Sequence, residues 1–233
     1  MSFFQDTLSI FKKRDLSFIE SHKESEDVYS FLFEKEKDLT WKAGQHGLFT
    51  IIHKKIKNPI RPFTVASAPA ENVVRLTMRI GDSPSDFKKA MLELQIGMKV
   101  RISGPVGGFY LKDHSPSLLI AGGIGITPFR SMLKQIEAEG NNGDKHLLYM
   151  DTKQSYLFKE ELDNIANNSS IRVTYLCSRD DLHQEIDAFI NLYKDNGKYF
   201  VAGPKSMVGD ISNYLKNNTI PKQAIKKDAF LGY

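Results

Sequence analysis

The chain has 233 residues, of which 41% are hydrophobic and 26% charged, a composition typical of a globular protein. This length can bury one large core or two cores of roughly 110 residues each. The single cysteine, Cys177, excludes an intrachain disulfide, a four-cysteine zinc site and an iron–sulfur cluster ligated by this chain alone.

The longest nearly apolar run covers residues 118–129 and contains three glycines. Its 12 residues are well short of the roughly 20 that a membrane-spanning helix needs. Residues 1–14 lack the apolar segment and cleavage site of a secretory signal. We therefore expect a cytoplasmic protein that does not bind membranes.

The net charge of +4 is too small to indicate nucleic acid binding, but it is unevenly distributed. Residues 1–111 contain 17 Lys and Arg against 13 Asp and Glu, whereas residues 112–233 contain 15 of each. Most of the excess lies in residues 51–111, with 10 basic and 4 acidic residues. This region either attracts an acidic protein or a phosphate-bearing ligand, or is a solvated protein surface.

The first half of the chain reads as short strands separated by turn residues, which favours a small antiparallel barrel. One helix interrupts the strands, because Ser83 is placed to cap it and Pro84 suits its first position. Phe87 and Met91 lie on one face of that helix. The predicted strands are 17–21, 28–34, 47–53, 63–67, 73–80 and 99–103.

After residue 116, apolar runs alternate with amphipathic segments, a pattern typical of a parallel sheet with crossover helices. We therefore predict two domains, an antiparallel β-barrel over residues 1–112 and an α/β parallel-sheet domain over residues 113–233. The predicted strands of the second domain are 118–121, 147–150, 171–176 and 199–202, and its predicted helices are 128–139, 158–166, 182–193 and 205–217.

The sharpest local signal is the glycine-rich segment 118–128, which joins the first strand and the first helix of the second domain. Glycines let the backbone approach a phosphate, and a capped helix after them directs N–H groups and its positive end toward it. The segment predicts a site for a dinucleotide pyrophosphate, and a tight turn is the alternative. Pro128 replaces the third glycine of the common dehydrogenase fingerprint, so the loop does not match that version.

A second signal is Arg61-Pro62-Phe63-Thr64, at the start of a predicted barrel strand. Arginine can bind a phosphate with two hydrogen bonds, and threonine offers a hydroxyl donor and acceptor. A surface ion pair is the alternative role for Arg61.

These two signals, in this order and about 60 residues apart, make the chain resemble the ferredoxin-NADP reductase superfamily of flavoenzymes over nearly its whole length. The resemblance implies that the barrel binds FAD, with FMN as an alternative, and that the α/β domain binds NAD(P)H. It implies that Arg61 binds the flavin phosphate, that Phe63 packs on the isoalloxazine and that Thr64 lies near flavin N5. Pro62 belongs to the same motif.

A further group of residues resembles the element that covers the flavin phosphates in that family with backbone and with a serine at a helix N-terminus. These residues are Met78, Arg79, Ile80, Gly81 and Ser85.

On the nicotinamide side, Gly123, Gly125 and Thr127 match the family's dinucleotide loop, and Thr127 is expected near the nicotinamide. A second segment resembles the family's Cys-Gly-Pro stretch, with alanine in place of the cysteine. Its residues are Ala202, Gly203, Pro204 and Met207.

Ser178 and Arg179 follow the strand after which NADPH-using members bind the 2′-phosphate. We therefore expect NADPH to be preferred over NADH, although Asp180 and Asp181 come next and weaken that expectation. Cys177, just before them, is expected in the core.

The last residues resemble the acidic and aromatic ending of some members of the family, with a spacing one residue shorter. By that resemblance Phe230 and Tyr233 contact the cofactors, Tyr233 stacks on the flavin until the nicotinamide displaces it, and Asp228 is a candidate for proton transfer.

The expected activity is an NAD(P)H oxidoreductase that passes a hydride from NAD(P)H to FAD and electrons to a separate acceptor, or the reverse. The basic region favours an acidic ferredoxin or flavodoxin as acceptor. Free flavin, ferric chelates and a partner oxygenase are alternatives. A different class is a non-catalytic subunit that senses flavin or nicotinamide within a larger complex. The six histidines show no metal-binding spacing, and no metal is expected.

Overall fold

The structure is a computed structural model that describes residues 12–140 and 143–230. The chain forms two compact units, which divide between Tyr110 and Leu111. This division lies two residues before the predicted domain boundary.

The first unit is a six-stranded antiparallel sheet with the strand order β4-β3-β6-β1-β2-β5. Buried and partly exposed residues alternate along β3, as expected when one face of a strand packs on a core. The strands are β1 (Lys13–Lys23), β2 (Val28–Glu34), β3 (His46–Ile51), β4 (Ile60–Thr64), β5 (Val73–Arg79) and β6 (Lys99–Val106).

The predicted position of β4, residues 63–67, is shifted from the observed one. Strand β4 ends at Thr64, and the next two residues turn toward other parts of the unit, since Val65 donates its N–H to the Gln45 carbonyl and Ala66 to the Arg75 carbonyl. The strand begins before Pro62, which an edge strand tolerates because one side of it needs no N–H donors.

A short helix, α1 (Asp86–Leu92), packs Phe87 and Met91 into the core of this unit. Its N-cap is Ser85, whose hydroxyl accepts the Lys88 N–H at 3.5 Å. The prediction that Ser83 caps the helix is therefore wrong. The later start places Asp86 in the first turn, where a carboxylate interacts favourably with the helix dipole.

The second unit is a five-stranded parallel sheet with the order β11-β10-β7-β8-β9, so the predicted fold class is confirmed for both units. The strands are β7 (Ser117–Gly122), β8 (Lys145–Met150), β9 (Arg172–Leu176), β10 (Lys198–Pro204) and β11 (Ile225–Phe230), the last of which was not predicted. The helices are α2 (Ile126–Glu139), α3 (Lys159–Asn167), α4 (Arg179–Tyr193) and α5 (Lys205–Asn217).

Strands β7 and β8 are buried along their whole length, which accounts for the apolar runs 118–121 and 147–150. Lys145 and His146 at the start of β8 are buried polar residues. In the described part of the chain, no helix has the length and apolarity that crossing a membrane requires.

Candidate active site

Strand β4 positions the four residues of the predicted flavin motif. Because side chains alternate along a strand, Arg61 and Phe63 share one face of β4, and Pro62 and Thr64 share the other. Register with β3 places Phe63 opposite Gly47 and Thr64 opposite His46. The fold therefore divides the motif between the two faces of one edge strand.

Arg61 is half-buried, and its guanidinium donates a hydrogen bond to the Ile60 carbonyl oxygen at 2.9 Å. No carboxylate among the described residues pairs with it, so the surface ion pair considered for Arg61 does not form within residues 12–140 and 143–230. Because the Arg61 guanidinium is bonded to a backbone carbonyl and to no described carboxylate, it can still bind a phosphate with two hydrogen bonds.

The ring of Phe63 lies at the margin of the core. Its centroid is 5.5 Å from that of Phe87 and 6.4 Å from that of Phe49, and the ring is only partly buried. The neighbouring Thr64 is 7% exposed, and no described residue forms a hydrogen bond with its hydroxyl. Both side chains thus have a surface left for a ligand.

Two further cations of the first unit lie on β5 and α1. Arg79, the last residue of β5, donates to the Asp27 carboxylate at 2.5 Å. The pKa of Lys88 on α1 is lowered, mainly because the ammonium is partly buried and also because the charge of Arg79 acts on it. The positive charges of both residues suit the negative charge of a pyrophosphate.

The other predicted residues near these cations contribute less directly. Met78 and Ile80 are buried in the core, and the Ile80 N–H is bonded to the Asp27 carbonyl at 2.6 Å. Gly81 is exposed, and a side chain there would meet nothing within 4 Å. The open backbone at Gly81 and the cap residue Ser85 are therefore the parts of this group that a ligand can approach.

In the second unit, the glycine-rich loop after β7 packs against the end of β10. A Cβ atom at Gly125 would lie 2.3 Å from the Ala202 carbonyl oxygen, and one at Gly122 would lie 2.2 Å from the Met207 sulfur. Gly123 differs, because it has a φ of +52° and a Cβ atom there would meet nothing within 4 Å. The loop thus needs two glycines for packing and presents the backbone of the third to open space, where a phosphate can approach.

Helix α2 begins without the side-chain cap that the sequence predicted. Its N-cap is Gly125, and the Thr127 hydroxyl donates to the Ile124 carbonyl oxygen at 3.2 Å. No side chain of the described residues caps α2, and the Ile126 N–H is bonded to carbonyls of the short 3-10 turn Gly123–Gly125 that precedes the helix. The positive end of the helix, which this turn extends, is suited to an anion.

Tyr149 was not predicted to belong to the site. Its fully buried hydroxyl donates to the Gly123 carbonyl oxygen at 3.1 Å and accepts the Leu157 N–H at 3.1 Å. It therefore joins the glycine-rich loop to the segment after β8. A tyrosine within an otherwise apolar strand is the one signal in the sequence that could have indicated it.

The register of β10 and β11 brings the two C-terminal motifs together. Asp228 lies opposite Ala202, and Phe230 lies opposite Pro204. Asp228 and Phe230 are both partly exposed. Tyr233 lies outside the described residues.

Ser178 and Arg179 stand at the start of α4. The Ser178 hydroxyl is the N-cap and accepts the N–H groups of Asp180 and Asp181 at 3.2 and 3.4 Å. The Arg179 guanidinium is exposed and lies 3.6 Å from the Asp210 carboxylate on α5. The expectation that Cys177 belongs to the core is wrong, because β9 ends at Leu176 and Cys177 is exposed.

Each unit thus holds predicted residues that can bind a nucleotide, namely Arg61, Phe63 and Thr64 on β4 in the first unit and the open glycine loop at Gly123 in the second. Within the described ranges, no group of three or more His, Cys, Asp or Glu residues could hold a metal ion.

Comparison with known families agrees with this division. The oxidoreductase FAD-binding domain family matches residues 15–110, and the oxidoreductase NAD-binding domain family matches residues 119–213. The chain belongs to the ferredoxin-NADP reductase superfamily. It therefore has an oxidoreductase FAD-binding domain followed by an oxidoreductase NAD-binding domain.

Relatives named for different activities share these domains. Flavohemoprotein A of Dictyostelium discoideum is 26% identical over 230 residues, which cover 89% of this chain and 58% of that protein. NAD(P)H-flavin reductase of Vibrio harveyi is 30% identical over 151 residues, which cover 60% of this chain and 62% of that protein. The chain spans about three fifths of the length of the curated relatives that it matches.

Solved structures show the same fold. Ferredoxin-NADP+ reductase from Plasmodium falciparum with 2′P-AMP superposes with a TM-score of 0.78 at 16% identity, covering 95% of this chain and 98% of that chain.

Proposed function

We propose that this protein oxidises NADPH, in preference to NADH, and passes the electrons through FAD to a separate, small, acidic redox protein of the ferredoxin or flavodoxin kind. The flavin-binding domain covers residues 1–112 and the nicotinamide-binding domain covers residues 113–233. The observation that supports the acceptor most directly is a loop of exposed lysines that leads straight into the strand of the flavin motif.

When bound, FAD supplies a carrier that takes a hydride from nicotinamide and returns the two electrons singly or together. The residues of β4 hold it in place. Arg61 binds a flavin phosphate, Phe63 offers its ring to the isoalloxazine, and the unpaired hydroxyl of Thr64 donates or accepts a hydrogen bond near N5. The cations Arg79 and Lys88 add positive charge for the pyrophosphate.

The second domain binds and orients the nicotinamide nucleotide. The open backbone at Gly123 and the first turn of α2 receive the pyrophosphate. Ala202 and Gly203 line the nicotinamide, while Asp228, held opposite Ala202, is placed to exchange a proton. Ser178 and Arg179 bind the 2′-phosphate, and this contact favours NADPH over NADH.

The loop between β3 and β4 supports a protein acceptor. Lys55 and Lys57 are exposed, and neither forms an ion pair with any residue in the described ranges, whereas Lys54 pairs with Glu93 at 2.7 Å. Ile60 is 51% exposed at the end of the same loop, next to Arg61. Unpaired cations around an exposed apolar side chain suit an acidic partner, which they would attract over a distance.

A second function, reduction of free flavin, is favoured by the similarity to NAD(P)H-flavin reductase. A small neutral or weakly charged acceptor would not need the lysines of the β3–β4 loop. Replacing these lysines with glutamates should therefore slow the reduction of an acidic protein much more than the reduction of free flavin.

The experiment compares reduction of an acidic ferredoxin and of free FMN by the flavin-loaded protein and by a Lys55→Glu, Lys57→Glu variant. We expect the ferredoxin rate of the wild type to fall with salt, and the variant to be about tenfold slower at low salt with little salt dependence. The matched control is Lys35→Glu, Lys37→Glu, the same charge change in the segment between β2 and β3.

Reduction of FMN, whose charge is that of a single phosphate, should depend far less on either pair of substitutions than reduction of ferredoxin does. Equal ferredoxin rates in the wild type and the Lys55→Glu, Lys57→Glu variant at every salt concentration would contradict the proposed acceptor. Rapid FMN reduction without ferredoxin reduction would favour the second function.

A further inference from the structure

The guanidinium of Arg179 has an acidic neighbour on a different helix. Its Nη1 lies 3.6 Å from a carboxylate oxygen of Asp210 on α5. The two side chains are 74% and 62% exposed, so water and incoming ligands reach both.

The position of Asp210 opposite Arg179 is set by contacts one turn further along both helices. The rings of His183 and Tyr214 stack with their centroids 4.1 Å apart and their planes 4° apart. The Tyr214 hydroxyl also donates to the Asp187 carboxylate, whose two oxygens lie 2.8 and 2.9 Å from it. Arg179 precedes His183 by four residues and Asp210 precedes Tyr214 by four, so the same helix faces that meet at the stacked rings also meet at the ion pair.

Acidic residues lie near Arg179 on both helices. Asp180 and Asp181 follow it directly in the first turn of α4, and the Asp210 carboxylate on α5 lies 3.6 Å from its guanidinium. A 2′-phosphate that binds the guanidinium has to compete with the Asp210 carboxylate, and the negative charges of Asp180 and Asp181 also oppose its approach.

We propose that Asp210 is a specificity-determining residue that competes with the 2′-phosphate of NADPH for Arg179. The inference rests on the proposed role of Arg179 in binding that phosphate. NADH has an uncharged hydroxyl at this position and does not need the guanidinium, so Asp210 weakens the binding of NADPH and leaves that of NADH nearly unchanged. The residue therefore reduces the preference for NADPH that Arg179 creates.

The experiment uses the full chain and two probes, 2′-phospho-AMP and AMP, titrated by calorimetry, together with KM for NADPH and NADH. We expect Asp210→Asn to tighten binding of 2′-phospho-AMP and to lower KM for NADPH by about three- to fivefold, the size of an exposed ion pair. AMP and NADH should change by less than about twofold, and the gain should shrink at high salt.

The matched control is Glu185→Gln, which removes the same charge from α4 at a residue that forms no ion pair within the described residues. This substitution should leave the ratio of the KM values for NADPH and NADH unchanged. In an Arg179→Ala background, Asp210→Asn should lose most of its effect, because the group for which the carboxylate competes is gone.

The outcomes separate this inference from the proposed function. If Asp210→Asn changes both probes equally or changes neither, Asp210 does not determine specificity, even where Arg179→Ala weakens 2′-phospho-AMP selectively. If Arg179→Ala instead weakens 2′-phospho-AMP and AMP equally, the proposed role of Arg179 fails, and this inference fails with it.

Discussion

At the scale of single residues, Tyr149 connects packing to nucleotide binding. Its hydroxyl is the donor to the Gly123 carbonyl and the acceptor of the Leu157 N–H, both in a buried position. Gly123, whose carbonyl accepts this hydrogen bond, has a left-handed backbone conformation with a φ of +52°. Removing the hydroxyl leaves two buried backbone groups without this partner, and each such group costs about 1–3 kcal/mol.

We therefore predict that Tyr149→Phe weakens NADPH and NADH binding alike, by about tenfold, while the protein retains its flavin. The control is Tyr156→Phe, because the Tyr156 ring lies 5.3 Å from that of Tyr149 but no described residue bonds its hydroxyl. Nucleotide titration monitored by calorimetry measures both variants. Unchanged nucleotide affinity in Tyr149→Phe would show that the loop keeps its shape without this hydroxyl.

His146 makes the stability of the second unit depend on pH. It is 4% exposed, its Nε2 lies 2.8 Å from the Thr174 hydroxyl, and burial together with the charge of Arg172 lowers its pKa to about 4. In the unfolded chain the pKa is near 6.5. Between these values the unfolded chain binds a proton that the native chain does not, so stability is complete above pH 6.5 and falls as the pH drops toward 4.

We predict that His146 contributes about 2 kcal/mol to the loss of stability between pH 7 and pH 5. The variant His146→Gln keeps a hydrogen-bonding side chain but cannot titrate. Between pH 7 and pH 5 its free energy of unfolding should therefore fall by about 2 kcal/mol less than that of the wild type. Urea unfolding at the two pH values measures the difference. Parallel pH profiles for wild type and variant would mean that His146 is not the titrating group.

At the scale of elements, Glu161 on α3 forms ion pairs with two residues of α2. Arg130 is 2% exposed, and its Nε and Nη2 donate to the two carboxylate oxygens of Glu161 at 2.9 and 2.7 Å. The Lys134 ammonium lies 3.7 Å from the same carboxylate. The Arg130 guanidinium also lies 5.2 Å from the centre of the Phe158 ring. Because α2 begins at the glycine-rich loop, these pairs help to hold the helix that we propose lies next to the bound phosphate.

We predict that Glu161→Ala destabilises the protein by about 2–4 kcal/mol, because it leaves a buried guanidinium without its carboxylate. Glu160→Ala is the matched control, since Glu160 is exposed in the same turn and forms no ion pair within the described ranges. It should cost less than about 0.5 kcal/mol. Equal melting temperatures for the two variants in a thermal unfolding experiment would argue against a stabilising pair.

The order and type of most elements could be predicted from the sequence, because apolar periodicity depends on local pattern. Element ends were harder to predict. The sequence offers Ser83 and Ser85 two residues apart as possible caps, and the helix in the structure begins after Ser85. The glycine-rich loop was predictable because close backbone packing requires glycine there, whereas the contacts of Tyr149 and Asp210 depend on how distant elements pack.

At the scale of the whole molecule, each unit matches a different nucleotide-binding domain family. The first has an arginine and an aromatic ring on an edge strand, and the second has an open glycine loop at the end of a parallel strand. Under the proposed function, electrons pass from the nicotinamide nucleotide to the flavin and from the flavin to a separate acceptor.

The most direct test of that account is the visible spectrum of the flavin-reconstituted protein during anaerobic addition of NADPH and, separately, of NADH. We predict that both nucleotides bleach the absorbance of the bound flavin, and that NADPH does so faster, as the proposed role of Ser178 and Arg179 requires. Faster bleaching by NADH would contradict the proposed preference. A bound flavin that neither nucleotide bleaches would contradict the proposed reductase and favour a subunit that senses the nucleotides without turning them over.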